Sequence, residues 1–176
     1  DPLLNDPNAI LNALTLEEVI PATDTDGDEL PDAWEIAFFG NLSRTAGDDP
    51  DGDGMTNLVE LRDYTNPADP DTDGDGFNDF DEGDWRADPL SADSDNDGLR
   101  DGEERTIYDT DPTDPDSDDD RLNDGAEVYT HLTSPEDADT DNDTLPDGLE
   151  LLDLHTSALS TDSDGDTAND ATEYHN

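Results

Sequence analysis

The chain has 176 residues and a formal net charge of −47, set by 53 Asp and Glu against six Arg. Only 29% of it is hydrophobic and 6% aromatic, too little for a conventional core and close to the composition of a disordered acidic segment. That charge repels nucleic acid and anionic membranes. No run of about 18 apolar residues is present to insert in a bilayer, and no cysteine supplies a disulfide. No signal peptide is visible at Asp1, which predicts either a removed leader or a piece of a longer chain.

In chain order, residues 1–23 form the one stretch with ordinary helical character. Asp6-Pro7 can start a helix, Ile10, Leu11 and Leu14 share a face, and Thr15 with Glu18 makes a capping box. The expectation is an N-terminal helical cap on the first acidic segment, or a docking segment for another subunit.

From Asp24 onward the pattern changes to a repeat. A twelve-residue unit with Asp at positions 1, 3 and 5 and Glu at 12 recurs seven times, starting at 24, 49, 71, 93, 116, 139 and 162. The intervals are 25, 22, 22, 23, 23 and 23 residues, the signature of a repeat architecture. Seven of the 12 glutamates fall on position 12, and 34 of the 53 acidic residues are in register. A disordered tail has no reason to keep that register.

The spacing matches the ligand schedule of an EF-hand-like calcium loop. There, side chains at 1, 3 and 5, the carbonyl of 7, position 9 and a bidentate Glu at 12 surround one Ca²⁺. The first loop offers Asp24, Asp26, Asp28, Leu30, Asp32 and Glu35. The second offers Asp49, Asp51, Asp53, Met55, Asn57 and Glu60, and the third Asp71, Asp73, Asp75, Phe77, Asp79 and Glu82. The fourth has Asp93, Asp95, Asp97, Leu99, Asp101 and Glu104; the fifth has Asp116, Asp118, Asp120, Leu122, Asp124 and Glu127. The sixth has Asp139, Asp141, Asp143, Leu145, Asp147 and Glu150, and the seventh Asp162, Asp164, Asp166, Ala168, Asp170 and Glu173. Six of the seven loops place five carboxylates together, which is ten repelling pairs. At about 1 kcal/mol per pair even in water, one collapsed loop without a cation costs roughly 10 kcal/mol. Folding is therefore expected to depend on the metal, and seven divalent ions would take the charge from −47 to −33. Oxygen-only ligands and the long Glu arm favour Ca²⁺ over Zn²⁺ or Mg²⁺.

Between loops, Asn66-Pro67, Asp88-Pro89, Asp111-Pro112 and Ser134-Pro135 each open five residues before the next loop, with Ser157 in the same slot. These are turn signals. Short apolar stretches around position 12, such as Trp34, Ile36 and Phe38, or Leu149, Leu151, Leu152 and Leu154, predict one or two helical turns per unit. Such a unit must lean on its neighbour to bury its stripe. The expected fold is an irregular, metal-stabilised repeat: tandem Ca²⁺ loops with short helical turns in an elongated solenoid-like rod, without a conventional core.

The repeated D-x-D-x-D-G-x-x-D-x-x-E at about 23-residue spacing, with the loop hydrophobe at position 7 and Pro31 and Pro146 after it, resembles thrombospondin type 3 repeats in their cysteine-free bacterial form. The resemblance covers residues 24–176. It implies Ca²⁺-ligand roles for these loop residues and an extracellular stalk or spacer within a larger secreted or surface protein. Position 6 departs from Gly at Glu29, Arg121, Thr144 and Thr167, which is expected to strain those loops and spread the affinities.

No nucleophile elbow, phosphate loop or base-paired histidine marks an enzyme. The leading expectation is a calcium-dependent spacer or fibre-forming module, partnered by Ca²⁺ and by flanking domains or head-to-tail copies. The alternatives are adhesion through Trp34, Phe38, Phe39, Phe80 and Trp85, or an acidic calcium- or mineral-binding segment that stays unfolded.

Overall fold

The computed structural model describes residues 23–174. The expected helical segment at 1–23 lies outside these, apart from Thr23. The chain divides into two compact units, Asp1–Ser91 and Ala92–Asn176. The described residues contain no strand.

The repeats share one plan. An acidic loop runs from position 1 to 8 and a short helix starts at position 9; in the first six repeats a left-handed residue ends it, and in repeats two to six the inter-repeat turn follows. The helices of the first unit are α1 (Asp32–Phe39), α2 (Asn57–Asp63) and α3 (Asp79–Trp85). Those of the second are α4 (Asp101–Glu103), α5 (Asp124–Ala126), α6 (Asp147–Leu149) and α7 (Asp170–Tyr174). The residue at position 8 is extended in each of α1 to α6, so the chain leaves the loop straight and then coils. Aspartate at the helix start and glutamate three residues on place negative charge at the amino-terminal end, where the backbone N–H groups point. Asn78 adds a side-chain cap, accepting from the Asp81 N–H.

The turns fall where the sequence predicts them. Asp69 N–H donates to the Asn66 carbonyl, Ser91 to Asp88, Asp114 to Asp111, Asp137 to Ser134 and Ser160 to Ser157, at 2.8–3.0 Å. Ser157 makes its turn without a proline.

One-residue differences in repeat length appear as a change of helix type. The 22-residue repeats carry α2 and α3, whose left-handed caps Tyr64 and Arg86 donate to the carbonyls of Glu60 and Glu82, four residues back. In the 23-residue repeats α4, α5 and α6 pass into π-helical turns at Glu104–Tyr108, Glu127–His131 and Glu150–Leu154. There the caps Asp109, Leu132 and His155 donate to Glu104, Glu127 and Glu150, five residues back. The acceptor is the position-12 carbonyl in both cases. The extra residue is swallowed between two fixed points as a π-turn, the usual fate of a single insertion in a helix.

The interior is small and half polar. Leu30, Met55, Leu99, Leu122 and Leu145 from position 7 are buried, with Trp34, Ala87, Ala158 and Ala171. Phe77 and Ala168, from the same slot, are only half-buried. Trp34 is 2% exposed and sits in a cluster with Phe38 and Phe39 at ring-centre distances of 5.2 and 5.7 Å. Arg44 lies 5.6 Å over the Phe39 ring. The expectation that Trp34 is an exposed adhesion contact is therefore corrected: its ring is needed inside a repeat that has little else apolar. Ile36, expected in the buried stripe, is 56% exposed.

In the second unit neighbouring repeats approach closely at position 10. The amide N–H groups of Gly125, Gly148 and Ala171, at position 10, donate to Oδ2 of Asp97, Asp120 and Asp143, the position-5 aspartates 28 residues earlier. The bond is 2.6 Å at both glycines and 3.2 Å at the alanine. A Cβ on Gly125 would lie 2.7 Å from the Asp97 carbonyl oxygen and 2.9 Å from Gly98 and Leu99 backbone atoms. One on Gly148 would overlap the Asp120 carbonyl. In the first unit the 25-residue interval inserts an intermediary: Ala46 donates to Asp28 and accepts from Leu58 N–H, the position-10 amide of the second loop.

Gly148→Ala should therefore destabilise the calcium-loaded chain by about 1–3 kcal/mol, because the clash is with backbone and no rotamer relieves it. Gly83→Ala should do the opposite by about 0.5–1 kcal/mol, since Gly83 lies in α3 with nothing near its missing Cβ. Denaturant midpoints of the two variants measure both, and a Gly148→Ala midpoint equal to wild type would refute the close packing.

Candidate metal centres

Each loop is shaped by its own carboxylates before any ion is considered. Position 1 closes the loop as an Asx turn. Asp24, Asp49, Asp71 and Asp162 accept through Oδ1 from the N–H of position 4 at 2.6–2.8 Å. Oδ2 of position 1 accepts from position 6 in all seven loops, at 2.8–3.2 Å. Position 5 accepts through Oδ1 from the N–H of position 7 in all seven, at 2.6–2.9 Å. These bonds force left-handed backbone at both position 4 and position 6.

At position 6 the glycines Gly54, Gly76 and Gly98 have φ of 112°, 99° and 101°, while Glu29, Arg121, Thr144 and Thr167 hold 82°, 86°, 84° and 81°. The four substituted loops keep the geometry, at roughly 1–2 kcal/mol of backbone strain each, greatest for the β-branched threonines. Position 4 does not stand out in the sequence. It is Gly27, Gly52, Gly74, Asn96, Asp119, Asn142 and Gly165, every one at positive φ. Restriction of that slot to Gly, Asn and Asp is the available signal. Asp119, which reads as a surplus acid, occupies this turn slot and is exposed.

The side chains at 1, 3 and 5 come together. Asp24, Asp26 and Asp28 each present an oxygen within 4.8 Å of the others, as do Asp49, Asp51 and Asp53, Asp71, Asp73 and Asp75, Asp93, Asp95 and Asp97, and Asp116, Asp118 and Asp120. The position-12 glutamates reach the same points from the helix. Glu35, Glu60, Glu82, Glu104, Glu127 and Glu150 are each 0% exposed, whereas Glu173 of the seventh loop is exposed. Both oxygens of Glu35 and Glu60 accept no hydrogen bond, nor does Oε2 of Glu104, Glu127 or Glu150. Oδ2 of Asp51, Asp95, Asp118 and Asp141, at position 3, is likewise buried and unbonded.

Position 9 has a different set of bonds. Its N–H donates to the carbonyl just before the loop, as in Asp32 to Thr23, Asn57 to Asp48 and Asp147 to Ala138, at 2.8–2.9 Å. Its carboxylate is gripped by position 2. Thr25, Thr72, Ser94, Ser117 and Ser163 donate through backbone N–H to Oδ1 and through the hydroxyl to Oδ2 of Asp32, Asp79, Asp101, Asp124 and Asp170, the hydroxyl bond being 2.6 Å each time. The hydroxyls of Thr72, Ser117 and Ser163 also accept from the turn amides of Asn66, Asp111 and Ser157. Loop, helix start and turn are thus fastened at one oxygen. The second loop shows the logic by exception: Pro50 stands at position 2 with neither donor, and position 9 is Asn57, whose Nδ2 donates to the Thr45 carbonyl at 2.8 Å instead. The asparagine that reads as a lost charge follows from that proline.

Burial among like charges lifts the ligand carboxyls. Desolvation, then the neighbouring Asp51 and Asp53, push Glu60 to about 8. Glu104 and Glu127 rise to about 8 and Glu150 to about 7, from burial and the aspartates at positions 3 and 5 of the same loop. Asp95 and Asp118 rise to about 7 for the same reasons. Asp32 goes the other way, held down by the two Thr25 hydrogen bonds. Two of the cations pair elsewhere: Arg121 with Asp153 at 2.7 Å and Arg105 with Asp109 at 3.4 Å. Converging, buried, unbonded carboxylate oxygens are a donor set that a hard divalent cation fits and that is costly without one.

The sign of the pH dependence follows. A carboxyl whose folded pKa is raised keeps its proton in the folded state over a range where the unfolded chain has released it. Between about 4.5 and about 8, the span set by Glu60, Glu104 and Glu127, the ion-free fold should therefore lose stability as pH rises. Ca²⁺ competes with these protons, so its binding at pH 7 should release protons and strengthen towards pH 8. Calorimetric heats in buffers of different ionisation enthalpy measure the release; equal heats would contradict the raised pKa values.

Comparison with known proteins bears on two of these loops. Residues 49–70 and 93–115 match the family described as Bacterial TSP3 repeat. No curated protein matches the chain. A solved structure titled "Biofilm associated protein - BSP domain" is 46% identical over 24% of this chain, with a TM-score of 0.24, and the chain spans only 7% of that one. The second and fourth acidic repeats, each with its aspartate cluster and buried glutamate, are bacterial TSP3 repeats.

Proposed function

We propose that this chain is a calcium-ordered structural spacer of an extracellular protein, with one Ca²⁺ in each of the seven loops. The observation that carries the reading is that Glu35, Glu60, Glu104, Glu127 and Glu150 at position 12 are fully buried with unbonded oxygens among aspartates. In a metal-free fold these carboxylates either stay protonated or repel. With an ion between positions 1, 3, 5 and 12 they become the tie between loop and helix. The carbonyl of position 7 completes the set, and position 9 holds the shape of the cage. The described residues contain no helix long and apolar enough to cross a membrane.

Of the aromatic groups an adhesion surface would use, Trp34 is inside against Phe38 and Phe39, while Phe80, over Gly54 of the preceding loop, and Trp85 keep 44% of their surface exposed, so burial favours the spacer reading at Trp34 alone. The spacer reading is favoured over an unfolded ion buffer by the hydrogen-bonded register of all seven loops. In the second unit a repeat touches the next through position 5, and in the first Asp28 does so through Ala46, contacts that support a tandem calcium-loop repeat. Catalysis is not proposed: the clustered carboxylates have structural or ligand roles. Sites of this ligand type outside cells bind at about 10⁻⁴–10⁻³ M, where Ca²⁺ is abundant.

Small-angle scattering with circular dichroism tests the reading. In millimolar Ca²⁺ the chain should be stiff and helical at its short helices. Excess chelator should expand it, and Mg²⁺ at equal concentration should not restore it. Unchanged dimensions and ellipticity on chelation would sink the spacer and leave an acidic ion-binder.

A further inference from the structure

The residue just before each inter-repeat turn occupies one slot: Thr65, Ala87, Thr110, Thr133 and Thr156. In the 23-residue repeats its hydroxyl donates to Oε1 of the position-12 glutamate. Thr110 bonds Glu104 at 3.1 Å, Thr133 bonds Glu127 at 3.0 Å and Thr156 bonds Glu150 at 3.0 Å. Oε2 of each of these glutamates accepts nothing and is buried. In the 22-residue second repeat the slot is again a threonine, fully buried, yet the Thr65 hydroxyl has no partner and neither does either oxygen of Glu60. Residue type is the same, Thr65 is buried like Thr110 and Thr133, and the bond is absent. What differs is the spacing. The glutamate and the threonine are five residues apart across an α-helical end in the second repeat, and six apart across a π-helical turn in the fourth to sixth.

We propose that Thr110, Thr133 and Thr156 are positioning residues for the calcium ligands Glu104, Glu127 and Glu150, brought into reach by the one-residue π-helical insertion, and that the chain therefore carries two classes of site. The proposal rests on the calcium reading of the loops. The hydroxyl fixes one carboxylate oxygen and leaves the other bare toward the aspartates of the loop. A glutamate held in this way gives up less freedom when the ion binds. It also resists swinging into the single-oxygen contact that a small octahedral ion such as Mg²⁺ demands. The second site has the long arm without the pin, and the third has Ala87, which cannot supply one. Sites four to six bind Ca²⁺ as preformed cages, while the second orders its glutamate only on binding.

The test is a site-resolved Ca²⁺ titration of the full chain by backbone NMR, following the position-6 amides of Gly54 and Arg121. Thr133→Val should weaken the fifth site about five-fold, the equivalent of one hydrogen bond near 1 kcal/mol, and narrow its preference for Ca²⁺ over Mg²⁺. Thr133→Ser, which keeps the hydroxyl, should return it to within about two-fold of wild type on the same scale. Thr65→Val should leave the second site unchanged, because its hydroxyl bonds nothing. The proposal is overturned if Thr133→Val titrates like wild type, if the serine variant fails to rescue, or if Thr65→Val weakens its site as much as Thr133→Val weakens the fifth. Wild-type chain in which no position-6 amide responds to Ca²⁺ would overturn the calcium reading itself, an outcome separate from these.

Discussion

Six glutamates with no exposed surface lie against the aspartates of their own loops. Burying one carboxylate against others is among the most expensive arrangements available to a polypeptide. Arginine does not relieve it at the ion pairs the fold makes, since Arg105 and Arg121 pair with Asp109 and Asp153. The same glutamates fix the helix, because their carbonyls accept the cap N–H in repeats two to six. Side chain and main chain of one residue therefore join the ion site to the helix end. A cation that removes the repulsion at Glu104 or Glu127 organises the turn beyond it. The sparse apolar interior is sufficient because it is not asked to hold the repeat closed alone.

Hydrogen bonds to the remaining carboxylates explain how each loop keeps one shape through substitutions. Position 1 captures the N–H of position 6 and in four loops that of position 4, position 5 captures position 7 and in the second unit also the next repeat, and position 9 is gripped by position 2 in every loop but the second. Four loops hold a non-glycine at left-handed φ in position 6. Several backbone and side-chain bonds over-determine each loop, so local strain at Thr144 or Thr167 is tolerated. Asp120 illustrates the double duty: Oδ1 receives Leu122 N–H in its own loop, and Oδ2 receives Gly148 N–H from the next. An ion that fixes Asp120 also fixes the start of the following helix. Ordering is then communicated along the second unit by ligand residues.

Much of this was legible in the sequence, and the reasons are specific. Period and the 1-3-5-12 register expose themselves because each slot admits one residue type, and the turns at Asn66, Asp88, Asp111 and Ser134 follow from Asx-Pro and Ser-Pro chemistry, with Ser157 in the same slot. What was hidden is relational. Position 9 reads as one more acid until its partner at position 2 is seen, and Pro50 with Asn57 is the pair that reveals the link. Position 10 reads as filler until Gly148 is found against a backbone carbonyl. Trp34 reads as exposed because a charged, aromatic-poor sequence gives no hint which ring goes inside. Register assigns residues to slots; it does not say which slots touch.

The difference between 22 and 23 residues is the clearest case of spacing becoming chemistry. A one-residue insertion in a connecting loop would have no consequence for the ligands. Here both ends of the helix are pinned, at its start by position 9 and at its end by the cap bond to position 12, so the added residue cannot leak into the turn. It widens the helix instead, and the widening rotates the residue before the turn toward the glutamate. Thr65 and Thr133 are the same amino acid in the same slot, and only the second reaches its carboxylate. A repeat array can thus alter one site without altering any ligand residue, by changing the length of the segment that returns to it. The repeat length that looks like noise in the period is a structural variable, and it acts on the residue whose burial the fold depends on.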